Sequence, residues 1–446
     1  MNVRLTNLWD SWRSGYWFVP ALMIVVAIAL EQALAAFDSW LPNTVLDGLW
    51  FMYHSTSANA TSLLLTIAGA MIAILGVVYT VTMVPLTIAA AQLGLRLLRT
   101  FLRDTTTQII LGYYSAAFVY CLLVLLAEAT HDGNSEVPQV SLTVGILLAL
   151  LAPVLLIYFI HHISVSIQAS AVIAAVGGDL SAAIERSFPP VNSDDHHRLQ
   201  EIEDRYRAIE RDGRPIAATA TGYIHAIDYE ALLEIAVEHD LTIALHQGPG
   251  DFQVPGSAIA SAVPAERIDA DIAERIAQSS ILGEYRTLTF DVEFGINSLV
   301  EVALRALSLA INDPFTAMTC IDRLGAALSL IGERGVPSRH RDDDGGTLRL
   351  IVEPQTFERL VDSAFHQIRQ YGRGSAEVLI RMLQAISVVS ARAALISERA
   401  VLLRHAELIA TDNRQTILAE YDRQRIEQVH QRTIQAIGLG IGEVRA

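Results

Sequence analysis

The sequence predicts a mainly α protein: a four-helix transmembrane bundle, then an α-rich cytoplasmic domain with a small β module. Three observations carry this. Four apolar runs (17–37, 61–91, 108–127 and 140–160) fill the first 165 residues. Each is long enough to cross a hydrocarbon core of about 30 Å, which takes roughly 20 helical residues. The arginines of this stretch fall only before the first run (Arg4, Arg13) and between the second and third (Arg96, Arg99, Arg103). Beyond it the chain turns acidic and amphipathic.

The charge split makes the contrast quantitative. Eight of the 48 acids and five of the 32 basic residues lie in the first 165 residues, leaving 40 acids against 27 arginines, a net of −13. Mean hydropathy is +0.36 with 52% hydrophobic residues, above the usual range for soluble chains. By the positive-inside rule the arginine-free loops at 38–60 and 128–139 are external, and both termini are cytoplasmic. The expected location is a bacterial inner membrane, multi-pass, with membrane lipids as partners. The first run is too long for a signal peptide, and no small-residue cleavage pattern follows it.

Composition also excludes chemistry. Every basic residue is arginine, so there is no Walker-type phosphate lysine, no Schiff base to retinal or pyridoxal phosphate, and no lipoyl or biotinyl lysine. An acidic soluble part argues against nucleic acid as a partner. Cys121 and Cys320, in different compartments of this reading, imply no disulfide framework. No nucleophile–base pair or metal-ligand spacing is readable, so no catalytic residue, metal or cofactor is assigned and enzymatic activity is unsupported.

Along the membrane half, Trp9, Trp12, Tyr16 and Trp17 mark one interface, and Trp40 and Trp50 the other. Glu31 and Gln32 fall inside the outer part of the first run. A charge there costs at least about 3 kcal/mol, so Glu31 is either functional or close enough to the surface to reach headgroups. The second run is overlong and carries small residues at helical spacing: Ser62, Thr66, Gly69, Ala73, Gly76 and Thr80. Pro85 is expected to kink it. Thr66, Gly69, Gly76, Thr80 and Pro85 are therefore candidates for a transport path, or for close helix packing within a bundle. Arg96, Arg99 and Arg103 share one face of the following turn and suit anionic headgroups. Tyr113, Tyr114 and Tyr120 read as packing aromatics.

The domain boundaries read as 1–165 membrane, 166–212 helical linker, 213–265 small α/β module and 266–446 helical cytoplasmic domain. In the last, residues 339–346 read as a solvated loop and 348–352 as a strand. Helical patterns cover 354–371, 375–411 and 412–437. The most distinctive string runs from Arg286-Thr-Leu-Thr-Phe-Asp291-Val-Glu-Phe-Gly295 into the segment from Leu299 to Asp322. Asp313 and Pro314 make a helix cap and first turn. Asp291, Glu293, Glu301, Arg305, Asn312 and Asp313 gather within one helix-turn-helix, either as a site for a cation or nucleotide or as an internal salt-bridge network.

The string Ala306-Leu-Ser-Leu-Ala-Ile-Asn-Asp-Pro-Phe-Thr-Ala-Met-Thr-Cys320-Ile-Asp322 resembles an uncharacterised bacterial family, domain of unknown function 2254. So do the Gly250-Asp-Phe-Gln-Val-Pro-Gly256 turn and the basic segment from Arg96 to Gln108. Many relatives have Pro-Gly where this chain has Leu309-Ala310. The resemblance implies a four-span inner-membrane protein with a cytoplasmic domain and brings no activity, so it transfers no functional residues. Two functions remain: a homo-oligomeric, channel-like transport protein whose acidic domain attracts cations, or a membrane-anchored sensor or scaffold binding a small ligand or protein. The ion or ligand itself is not readable.

Overall fold

The computed structural model describes residues 17–40, 57–93, 104–130, 139–166, 168–188, 199–353 and 355–443. Arg4, Arg13, Arg96, Arg99 and Arg103, and the interfacial Trp9, Trp12, Tyr16 and Trp50, lie outside them. The chain divides into two compact units, Met1–Ala171 and Val172–Ala446.

The described residues of unit 1 include four long helices: α1 (Phe18–Trp40), α2 (Ser57–Leu93), α3 (Thr105–Thr130) and α4 (Gln139–Ser166). They coincide with the four apolar runs because nothing else satisfies backbone N–H and C=O groups over such a length in hydrocarbon. α3 is the most buried of the four, packed against α1, α2 and α4 through Ile110, Leu111, Tyr114, Ala117, Tyr120 and Cys121. Pro153 inside α4 removes one amide donor. On its N-terminal side, the Leu148 carbonyl accepts the Tyr113 hydroxyl and the Ala152 carbonyl accepts that of Tyr114 at 2.6 Å. The N-terminus of α4 is capped from a different helix: Asp38 of α1 accepts Val140 N (3.0 Å), Ser141 N (3.0 Å) and Ser141 Oγ (2.9 Å).

The division between the units falls within α5 (Ala169–Ser187). Unit 2 continues with α6 (Leu199–Asp212), then β1 (Arg214–Ala217), β2 (Gly222–Ile227), α7 (Tyr229–Glu238), β3 (Thr242–Leu245), β4 (Phe252–Gln253), β5 (Ala258–Val263), α8 (Ala270–Ala277) and β6 (Ser280–Gly283). Next come α9 (Val292–Ala306), α10 (Pro314–Arg334), β7 (His340–Asp342) and β8 (Leu348–Ile351). α11 (Phe357–Gly372), α12 (Ala376–Ser390), α13 (Ile396–Thr416) and α14 (Glu420–Glu443) complete it. One sheet has the order β1-β5-β3-β8-β7, with β3 and β8 parallel; the other has the order β4-β2-β6. Three of these eight strands come from beyond residue 265. Ile216, Ile224, Leu232, Ile243, Ile259, Ile272 and Leu350 form one apolar core. The helices bury a second group, including Leu299, Cys320, Leu324, Phe365, Leu383 and Leu402.

Three expectations about unit 2 are corrected. The stretch 375–411 is not one helix: α12 ends at Ser390, and Arg392 N and Ala393 N both turn back to Val389 O. Without Gly or Pro in Ala391-Arg-Ala-Ala-Leu395, the break comes from buried side chains. Glu398 accepts Leu395 N at 3.2 Å, and Arg399 donates Nε to Ala393 O at 3.0 Å. Asp412, read as a helix start, instead lies in α13 paired with Arg369. The run 339–346 is not merely solvated loop, since it contains β7 and a turn built on Asp343. That carboxylate accepts Gly345 N (3.0 Å), Thr347 N (2.9 Å) and Arg349 Nε (2.8 Å), which holds its pKa below the ordinary carboxylate value, the Thr347 amide contributing most.

By length and hydropathy five helices among the described residues could cross a membrane, α10 being the fifth. In α10, however, Ala317, Cys320, Ile321, Leu324 and Leu328 are buried in the core of unit 2, and Asp322 and Arg323 are exposed.

Candidate functional site

The small-residue face of α2 is bare. Ala60, Leu64, Ile67, Ala68, Met71, Val78 and Thr82 form the buried side of that helix. Ser62, Thr66, Gly69, Ala73, Gly76 and Thr80 occupy the opposite, exposed side. A Cβ built on Gly69 or on Gly76 would meet nothing within 4 Å. Thr66 and Thr80 donate their hydroxyls to the Ser62 and Gly76 carbonyls of their own helix (2.8 and 2.9 Å). The face is thus smooth and apolar toward its surroundings, and it does not line the interior of unit 1. The backbone stays helical through position 85; the Pro85 side chain lies outside the described ones.

That interior is closed by aromatic packing. Tyr120 donates to Ser141 O at 2.8 Å, alongside the Tyr113 and Tyr114 bonds. Glu31 is only 2% exposed, and Gln32 donates to it at 3.0 Å. At the other end of α3, Asp104 accepts Thr106 N (3.1 Å) and pairs with His162 (2.7 Å).

The polar cluster read from the sequence separates into two places. Asp291 caps α9 by accepting Phe294 N at 3.0 Å, and meets Arg286 with both oxygens (2.7 and 3.0 Å). Gln355 adds a third donor at 3.3 Å. Glu293, buried beside it, accepts from Arg359 (2.9 Å) and Ser363 (2.8 Å) of α11. Asp251, on the turn before β4, lies 3.9 Å from Arg359 and accepts Gly248 N. Gly250 has φ +96, and a Cβ there would lie 2.3 Å from Asp291 Oδ2, so this turn requires glycine twice over. A helix of this length separates its ends by about 22 Å, which takes Asn312 and Asp313 away from Asp291. Glu301 and Arg305 pair with each other at 3.3 Å on α9. Asn312 takes φ 51, and Asp313 caps α10 through Phe315 N, Thr316 N and Thr316 Oγ1. The Thr316 hydroxyl, ahead of the amides, holds the Asp313 pKa below the ordinary value.

Chemically, the Asp291 cluster is three carboxylates facing two guanidiniums, with the charges engaged by hydrogen bonds. It ties the β4 turn, α9 and α11 together. Among the described residues no group of His, Cys, Asp and Glu is placed to hold a metal. Arg359, Ser363 and Gln355 could not be attached to Asp291 from the sequence, because about 60 to 70 residues of chain intervene. Arg286 was within reach, five residues away in the same string. His405 was also missed. It is 1% exposed and 2.7 Å from Asp362, and burial lowers its pKa.

Residues 13–387 match the model of a family described as "Predicted membrane protein (DUF2254)". The chain belongs to the DUF2254 family. Uncharacterised proteins of Mycobacterium bovis and Mycobacterium tuberculosis are each 29% identical to it over 426 residues, covering 93% of this chain and 79% of theirs. No solved structure matches. In this DUF2254 protein the Ala306–Asp322 string has a clear local role: it turns the chain from α9 into α10. Asn312 supplies the left-handed residue and Asp313 the cap, while Leu309, at the position of the family's Pro-Gly, is fully exposed.

Proposed function

We propose that this membrane protein is a homo-oligomer whose copies meet along the small-residue face of α2, forming a channel-like transport path at that seam. The observation supporting the reading is the bare face itself. Small residues at helical spacing allow close helix approach, and among the described residues no helix of the same chain takes that place. A path between copies also fits a monomer whose interior is filled by Tyr113, Tyr114 and Tyr120. The net −13 beyond residue 165 would draw cations to the cytoplasmic mouth. On this reading the arginine distribution sets both termini in the cytoplasm of a bacterial inner membrane, with Arg96, Arg99 and Arg103 at the headgroups.

The test measures mass in detergent and ion flux in liposomes for the wild type, Gly69→Leu and Gly76→Leu. Oligomers and flux that both diminish on substitution are expected. A monomeric wild type, or flux indifferent to both substitutions, overturns the proposal.

A second reading, a membrane-anchored sensor or scaffold, draws on exposed Phe252, Val254 and Tyr285 beside the three-stranded sheet. It predicts that Phe252→Ser reduces ligand or partner binding to the full-length protein without shifting its melting. A ligand-screened melting curve that never moves counts against it.

A further inference from the structure

Three helix hairpins of unit 2 turn at the same end. Gly177 of α5 packs on Arg323 of α10, and Arg334 donates to Glu185 O and Phe188 O (3.0 and 2.5 Å), so α5 and α10 run in the same direction. The start of α5 therefore lies level with Pro314 and with the α9–α10 turn. A Cβ on Gly372 would lie 3.6 Å from Leu307, bringing the α11–α12 turn to that end. Arg425 of α14 pairs with Glu377 of α12 at 2.7 Å, and Thr416 donates to Arg373 O, which adds the α13–α14 turn.

Each of the three turns exposes large apolar side chains. Leu309 is fully exposed, with Ile311 beside it and Phe315 at 75%. Tyr371 follows on the second turn, and Leu418 at 90% and Tyr421 at 73% on the third. Arg373 and Arg414 are exposed at the same end. Single exposed leucines are ordinary, but apolar tips on three successive turns, with aromatic and arginine neighbours, have the composition of a membrane interface.

The occupant follows from the covalent chain. Five residues separate Ser166, the last residue of the apolar helix α4, from Val172, where unit 2 begins. Even fully extended, that stretch reaches only about 20 Å. The end of unit 2 carrying the three apolar turns is the end to which this short tether attaches. We infer that the α9–α10, α11–α12 and α13–α14 turns insert Leu309, Phe315, Leu418 and their neighbours into the lipid interface, with Arg373 and Arg414 meeting anionic headgroups.

The full chain tests this in vesicles of phosphatidylcholine and phosphatidylglycerol containing a doxyl-quencher lipid. Environment-sensitive probes are attached to Leu309→Cys, Leu418→Cys and Asp344→Cys in separate proteins. Cys121 and Cys320 are buried, and Asp344 is exposed in the β7–β8 turn, which follows the opposite end of α10 from Pro314. Lipid quenching at Leu309 and Leu418 at least about twofold greater than at Asp344 is expected. Equal quenching at all three positions overturns the inference. So does efficient Leu309–Leu309 cross-linking between copies without excess lipid quenching, which would make the turns a contact with a second copy. Neither result depends on ion flux or on the α2 face, so this inference and the oligomer fail separately.

Discussion

Buried polar groups are satisfied by different chemistry in the two units. In unit 1 the hydroxyls of Tyr113, Tyr114 and Tyr120 end on carbonyls of α4, mostly neutral donors meeting neutral acceptors. In unit 2, Asp291, Glu293 and Asp412 end on guanidiniums. The difference follows from the surroundings. In hydrocarbon an ion pair loses its hydration on every side, whereas a phenol buries a ring and needs one acceptor. In unit 2, Arg286 and Arg359 are buried at one end only and keep some contact with water, which lowers the cost of charge. Among the described residues of unit 1, Asp38 and Asp104 serve as caps, with Asp104 also meeting His162, and Glu31 lies beside an amide.

The contrast predicts unequal losses. Asp291→Ala removes a cap, a two-oxygen arginine contact and a partner of Gln355, leaving Arg286 half-buried without its nearest carboxylate. It should cost about 3 kcal/mol of unit 2 stability, read by circular dichroism in denaturant. Gly250→Ala should cost roughly 2 kcal/mol by the same measurement, since it meets both a left-handed φ and the Asp291 carboxylate. Loss of under half a kilocalorie in either would mean that the network is not held as described.

Tyr114→Phe, in unit 1, should cost only about 1 kcal/mol, the net value of one hydrogen bond, in detergent-solubilised protein. A loss as large as that for Asp291→Ala would erase the contrast. Asp313→Ala should also cost about 1 kcal/mol through the α10 cap, with Asp313→Asn recovering most of it.

The smallest effect concerns pH. His405 has a folded pKa below its ordinary 6.5, so the unfolded state binds the proton more readily. Its contribution is complete above 6.5 and declines as pH falls through and below that value. His405→Gln should flatten the fall in stability on acidification. An unchanged slope would show that other groups set it.

How much of this was legible in the sequence follows the size of the signal. The apolar runs that became α1 to α4 were readable because a bilayer-length helix repeats its signal over about 20 residues. The cap at Asp313 was readable for the opposite reason, being local, whereas the cap at Asp291 was not read from the sequence. The strand β8 was readable at 348–352, but β6 and β7 were harder, since three or four residues leave little room for alternation and β7 lies in a charged run. The break between α12 and α13 carries no Gly or Pro, so only the buried Glu398 and Arg399 reveal it. The face of α2 was legible as small, while its exposure depends on where three other helices pack. The Asp291 network was half legible: Arg286 is a neighbour in sequence, but Arg359 and Ser363 arrive through tertiary folding.

One cap links the history of the chain to its form. Asp38 precedes the amides it accepts by 102 and 103 residues. At a synthesis rate of about 5–20 residues per second, that carboxylate waits roughly 5 to 20 s for its donors. During that interval α1 is complete and α4 does not yet exist. The last apolar helix therefore finds its starting point already made by the first. A ribosome-bound chain ending near residue 135 would hold Asp38 without the Val140 and Ser141 amides, which the finished chain supplies.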